Sequence, residues 1–236
     1  YNIGSRMVVD DRVFHYAQAG NTLNCGLGAF NAITQHVAFA VVAEVANEGD
    51  YTVTITMGAN DGVGASGNMA EDELVNGYCV IWPADMSECM NRRIVGNTVV
   101  EGGAGGPLTL RLDRPLSGGL VAATDHVEVM ASPYLNVQTA PPAFGFHSVM
   151  GMPPIAAIIT QYLWLQTWGP VWITPGGLMQ ASIGFLNRRV YFREDGSIDE
   201  NPVGTAYADS QLAGYVLCNA RLEGQGAPFI QLMLAP

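Results

Sequence analysis

Four histidines, at positions 15, 36, 126 and 147, are the residues of this sequence best suited to hold a metal ion or move a proton near neutral pH. None stands in H-x-x-x-H or H-E-x-x-H spacing, which sets two imidazoles on one helix face, so zinc is unsupported. Asp125-His126 would supply two members of a nucleophile triad, but no serine occupies a G-x-S-x-G elbow. The nearest approach, Gly64-Ala65-Ser66-Gly67, has its second glycine one residue early, and Asn68 stands where it belongs. Asp195-Gly196-Ser197-Ile198-Asp199-Glu200-Asn201 carries oxygens enough for a weak calcium site but not the EF-hand order, and reads as a solvated turn. Glu71-Asp72-Glu73 reads as an exposed acidic turn. The Gly-Gly-Ala-Gly-Gly run within 101–107 lacks the Gly-Lys-Ser/Thr ending of a phosphate-cradling loop and reads as a hairpin connection. No catalytic residue, metal or cofactor is expected.

Cys25, Cys79, Cys89 and Cys218 have neither C-x-x-C spacing nor the density of a disulfide scaffold. They read as buried free thiols, and a Cys79 to Cys89 bridge across a hairpin stays open for an oxidising compartment.

The residues that stand out are aromatic. Trp164, Trp168 and Trp172 are three of the four tryptophans, in a run that reads Gln161-Tyr-Leu-Trp-Leu-Gln-Thr-Trp-Gly-Pro170. In an extended strand Tyr162, Trp164, Gln166 and Trp168 share one face, and Leu163, Leu165 and Thr167 the other. Gly169-Pro170 is expected to end the strand, because proline offers no ladder donor. Two uses of this run follow: a buried core strand, or aromatics packed against a partner or ligand.

The strands that position these residues are legible as alternation and punctuation. Val8-Val9 and Val13 to Tyr16 flank the Asp10-Asp11 turn, a two-strand N-terminal arm. Residues 20–36 read as loop, and Val37 to Val45 as strand or short helix. Tyr51 to Met57 alternates threonine with apolar residues, the pattern of a half-buried strand. Further strands are expected at Tyr78 to Trp82, Arg92 to Val100, Leu108 to Leu112, His126 to Met130, Val190 to Arg193, Ala213 to Cys218 and Phe229 to Leu234. Short strands between Gly, Pro, Asn and Asp clusters predict an all-β sandwich or barrel. The expected layout is an arm and loop over 1–36, a β half over 37–140 and a second over 141–236, divided near Pro141-Pro142 because neither proline suits a central strand.

Composition points to contact surface. Only 13% of the 236 residues are charged, against roughly 25% in typical domains, while 49% are hydrophobic. A monomer of this mass exposes on the order of 10,000 Å². All basic residues are arginine, which suits interfaces better than lysine. A net charge of −11, with only the pairs Arg92-Arg93 and Arg188-Arg189 as basic clusters, argues against nucleic acid or an anionic membrane as partner. The longest apolar run, Val149 to Ile159, is interrupted by Gly151, Pro153 and Pro154 and falls short of the ~18 to 20 residues of a membrane span. No basic n-region followed by an apolar h-region is read here.

Three stretches carry a resemblance. Gly4-Ser5-Arg6 to Asp10-Asp11-Arg12-Val13-Phe14-His15-Tyr16-Ala17 resembles the start of virion structural proteins of tailed bacteriophages known mostly from environmental sequences. Leu108-Thr109-Leu110 to Pro115-Leu116, with Ser132-Pro133-Tyr134-Leu135-Asn136-Val137, resembles their middle, and Tyr162 to Pro170 their most recognisable stretch. The resemblance implies a non-enzymatic coat component, a decoration or cement protein on the capsid exterior, with the major capsid protein as partner. Self-association is expected with it. Arg6, Asp10, Asp11, Arg12, Phe14, Trp164, Trp168 and Trp172 are the candidate interface residues. The arm is expected to dock on a neighbouring subunit, leaving a folded protein with weaker attachment or self-association when residues 1–12 are removed; the alternative is an arm that completes the core of its own subunit. The rival class is a carbohydrate-binding β-module or adhesin in which Trp164, Trp168 or Trp172 stacks on sugar.

Overall fold

A computed structural model of the chain describes residues 1–31, 35–62, 66–139, 147–176, 188–199, 211–218 and 228–236. The fold is all-β, of sandwich or barrel type, with no helix among the described residues. In chain order the strands are β1 (Arg6–Val9), β2 (Arg12–Gln18), β3 (Ala29–Phe30), β4 (Gln35–Val41), β5 (Thr52–Met57), β6 (Tyr78–Trp82), β7 (Met90–Asn97) and β8 (Gly106–Leu112). They continue with β9 (His126–Met130), β10 (Val149–Gly151), β11 (Tyr162–Trp172), β12 (Arg189–Phe192), β13 (Ile198–Asp199), β14 (Leu212–Cys218) and β15 (Phe229–Met233).

Contacts divide the chain into two units, one built from Ile3–Ile33 with Pro133–Pro236, the other from Thr34–Ser132. The segment expected as a separate arm and loop over 1–36 instead joins the first unit almost whole, because β2 pairs along β11 from Tyr162↔Gln18 to Trp168↔Val13. Pro141-Pro142, where the two halves were expected to meet, lies outside the described residues.

The second unit is an antiparallel six-stranded sheet in the order β4-β9-β6-β7-β8-β5. It curls until its outermost strands touch, with Val42 bridging Ile55 and the Ala43 amide donating to the Thr54 carbonyl at 2.8 Å. Strand alternation explains why a core forms inside the curl: Val53, Ile55 and Met57 point in and are fully buried, while Thr54 faces out and its hydroxyl meets that of Thr109 at 3.0 Å. Full burial of a side chain such as Ile55 or Leu110 is worth about 1.5 to 3 kcal/mol each. Asn97, a polar side chain sunk completely into this unit, is satisfied: it accepts from the Leu74 amide and donates to the carbonyls of Ala70 and Thr98. Of the 101–107 connection, Gly106 and Pro107 are already strand.

In the first unit a seven-stranded sheet runs β1-β2-β11-β15-β14-β12-β13, beside the small pair β10-β3. The 20–36 loop is thus interrupted by β3, a two-residue strand too short to leave a periodic signature.

β11 carries the largest correction. It does not stop at Gly169-Pro170 but runs on to Trp172. The reason lies in the ladder geometry. The Thr167 carbonyl accepts from the Leu234 amide, so Thr167 faces Leu234 as a hydrogen-bonded pair, and alternation makes Pro170↔Gln231 a non-bonded one. On the opposite edge, pairing with β2 has already ended at Trp168↔Val13. Pro170 therefore sits where neither neighbour requires its missing N–H. Gly169 adopts φ +96° and lies so close to β2 that a Cβ would stand 2.6 Å from the Asp11 carbonyl oxygen, which only glycine tolerates.

Candidate interaction surfaces

Strand parity decides which residues of the first unit face outward. Leu163, Leu165 and Thr167 are the buried face of β11, and the two leucines pack with Ala17, Leu23 and Val137. The aromatic face is the outer one: Tyr162 is exposed and Trp164 half-buried. Register brings Gln18 opposite Tyr162, Tyr16 opposite Trp164 and Phe14 opposite Gln166. Directly opposed residues share a face, so the sheet itself assembles an aromatic stripe.

The rings pack on one another. Tyr16 stacks beside Tyr162 at 5.7 Å and 9° and tilts against Trp164 at 5.1 Å. Tyr1 caps the group, edge-on to Trp164 at 5.0 Å and 72°. The Gln18 side-chain amide donates to the Tyr162 hydroxyl at 3.2 Å. Further along β2 the Arg12 guanidinium lies 6.0 Å above the Phe14 ring. Of the eight candidate residues, Arg12, Phe14 and Trp164 thus gather on one face, joined by Tyr162, expected on the Trp164 face, and by Tyr1 and Tyr16, which the sequence does not mark as candidates. The signal for Tyr16 was its place in the β2 alternation, but its pairing with Trp164, far along the chain, is not legible locally.

The other candidates stand elsewhere. Trp168 lies across from Met233 and Trp172 across from Phe229, with the Trp172 ring set over Gly26 and its side chain 48% exposed. Arg6 falls on the opposite parity of β1, and its Nε donates to the Pro236 carbonyl at 3.2 Å. Asp10 takes the left-handed turn position at φ 55°, 3.7 Å from Arg12, and Asp11 follows it exposed.

β1 closes one end of the seven-stranded sheet. The Tyr16 amide donates to the Ser5 carbonyl at 2.9 Å, so Ser5, Met7 and Val9 direct their backbone polar groups to β2. By alternation Arg6 and Val8 direct theirs away, to the open edge. Val8 is 53% exposed.

On the second unit, Phe39 projects from irregular register in β4, 58% exposed at φ 48°. Its ring stacks on His126 at 4.1 Å and tilts against Trp82 at 5.7 Å. A bulky residue in left-handed backbone costs on the order of 1 to 3 kcal/mol and persists only where its surroundings hold it. Sequence offers no signal for this conformation.

Asp125, His126, Asp195 and Asp199, considered for chemistry, have structural partners. The Asp125 carboxylate is buried and accepts from the backbone amides of Ala84 and Val121, while His126 stacks on Phe39. Burial raises the Asp195 carboxyl, but hydrogen bonds from Ser197 and the Arg193 guanidinium outweigh it and leave it below the usual range. Asp199 takes Arg193 at 3.3 Å, and Glu200 and Asn201 lie outside the described residues, as do Gly64 and Ala65. Among the described residues no three His, Cys, Asp or Glu side chains converge as metal ligands. Burial and then Arg6 lower the affinity of His15 for a proton. Its Nδ1 stands 3.1 Å from the Thr167 hydroxyl, whose own proton goes to the Ala235 carbonyl at 2.7 Å, so Nδ1–H donates to Thr167.

The cysteines depart from expectation. All four are free, so Cys79 and Cys89 are not bridged, and only Cys79 is buried, its thiol pushed up to about 12 by burial. Cys25, Cys89 and Cys218 are exposed, because they fall in turns or on outward strand positions.

No protein-family model, curated protein or solved structure matches this sequence.

Proposed function

We propose that this chain is a non-enzymatic structural protein of a virion, a decoration or cement component that binds capsid subunits from outside. The observation that carries the reading is the character of the surface. Large apolar and aromatic side chains stand well exposed on both units: Val8, Tyr162, Trp172 and Phe229 on one, Phe39, Tyr78 and Val95 on the other. The whole chain has only 10 basic and 21 acidic residues to solvate them. Exposed aromatics of this kind, beside arginine and without lysine, match the composition of protein contact surfaces. The resemblance of the N-terminal hairpin and of β11 to phage virion proteins supplies the assembly. Mass spectrometry of purified particles tests it: the chain is expected at stoichiometric abundance relative to the major capsid protein, and its absence from particles refutes the reading.

The aromatic stripe favours a second reading, a carbohydrate-binding module. Tyr1, Tyr16, Tyr162 and Trp164 with the Gln18 amide combine ring faces and hydrogen-bonding groups as sugar recognition requires. Trp164 is the one of the three tryptophans proposed for stacking that lies in this stripe. A glycan array separates the readings, since the coat protein is expected to bind none of its sugars through this face.

A further inference from the structure

We infer that the open edge of β1 is a self-association site, and that its occupant is β1 of a second copy, paired antiparallel about a two-fold axis through Met7. The inference deepens the coat reading by naming a partner and a register, and it stands on ladder geometry.

The hairpin leaves two residues, Arg6 and Val8, with N–H and C=O directed outward, and among the described residues no backbone partner meets them. A strand edge of this kind is a template for another strand. β1 is short and carries one charge, Arg6, but it has no proline, no lysine and no bulge against β2 to block pairing at its edge. A second copy satisfies this edge with no other residue involved. Setting Arg6 opposite Val8 of the other copy, and Val8 opposite its Arg6, closes both pairs of outward groups as two hydrogen-bonded pairs. Met7 then faces Met7 in the closer, non-bonded pair between them.

Charge selects the antiparallel sense. β1 has Arg6 at one end and the exposed Asp10 carboxylate just beyond the other. In the antiparallel register Arg6 is diagonal to Asp10 of the second copy, within reach of a long side chain, whereas a parallel register brings the two arginines together. The Arg6 contact with Pro236 uses Nε alone, which leaves the terminal nitrogens for a carboxylate. Val8, exposed on the Arg6 face, is covered in the same step.

Val8→Pro tests the site selectively. It removes a donor that points to the open edge and touches no bond to β2, since Val8↔Val13 is a non-bonded pair. Sedimentation velocity over a concentration series is expected to show the unaltered chain passing from monomer to dimer, and Val8→Pro remaining monomeric at the concentrations where the unaltered chain is mostly dimer. Its strand signal in circular dichroism and its unfolding midpoint are expected to stay unchanged. Asp10→Asn, which keeps a residue tolerant of left-handed backbone, is expected to weaken the dimer several-fold and to flatten its salt dependence. A chain that stays monomeric throughout, or a Val8→Pro variant that dimerises normally, overturns the proposal; an unaffected Asp10→Asn overturns the register. Failure is distinguishable from failure of the coat reading. A stoichiometric particle component that never pairs through β1 leaves that reading intact, and a β1 dimer absent from particles does the reverse.

Discussion

Adjacent residues of β11 are predicted to fail in different ways, because one belongs to the core and the other to the outer face. Leu165 is fully buried among Ala17, Leu23 and Leu163, so Leu165→Ala leaves a cavity that its neighbours fill only in part. The expected loss is about 2 to 5 kcal/mol. Trp164 is larger, yet its packing is confined to the half-buried stripe, with ring contacts to Tyr1 at 5.0 Å and Tyr16 at 5.1 Å. Each such contact is worth about 0.5 to 1.5 kcal/mol, so Trp164→Ala is expected to cost about 1 to 3 kcal/mol in all. Urea unfolding followed by circular dichroism gives both numbers, and equal m-values establish that the same surface is exposed in each variant. On the proposed coat reading, binding to capsid shells is the second readout, expected to drop for Trp164→Ala. Should Trp164→Ala destabilise the chain more than Leu165→Ala, the tryptophan is a core residue and the outward assignment of this face is wrong.

Gly169→Ala is expected to cost at least about 2 kcal/mol, since an L residue resists positive φ and its Cβ would stand 2.6 Å from the Asp11 carbonyl oxygen; the urea midpoint reads it. His15 makes stability pH-dependent. Its proton affinity is lowered on folding, so the unfolded chain takes up the extra proton and stability falls as pH drops below 6.5, by up to about 1.4 kcal/mol per pH unit until the folded ring protonates. That slope is expected to be absent from His15→Gln, and so to appear in the difference between the unaltered chain and that variant measured from pH 7 to 5. A maleimide is expected to label Cys25, Cys89 and Cys218 in the folded chain and Cys79 only on unfolding, counted by intact mass.

Local alternation carried most of the fold. Thr52–Met57, Leu108 to Leu112 and β2 of the hairpin about Asp10-Asp11 are strands because each has one face to bury, and that is written in consecutive residues. Long-range partners are not written there. Nothing in Gly169-Pro170 announces that β2 ends one residue earlier and that β15 presents a non-bonded position to the proline, so the run looked finished where it was only changing neighbours. The same limit governed the candidate surface. Composition drew attention to Trp164, but Tyr16 and Tyr1 reach it only through the β2 to β11 register, and the left-handed backbone of Phe39 follows from β4 irregularity that no residue type marks.

The register also changes what the N-terminal hairpin can be. An arm that served only a neighbour could be cut away without loss, which was the expectation for residues 1–12. Here β2 lies between β1 and β11, and its residues Val13 and Ala17 are buried in their own unit. Removing residues 1–12 would strip the amide and carbonyl partners of β2 along one side and take Arg12 from beneath Gly169, so instability of that truncation would say nothing about assembly. Only the outward half of the β1 backbone is free of duties inside the fold, and it amounts to the polar groups of Arg6 and Val8. On the proposed coat reading such a division has a use, because the inner side of one strand holds the subunit together while the outer side remains available. The informative perturbation is therefore a single missing N–H at Val8 and not a missing segment.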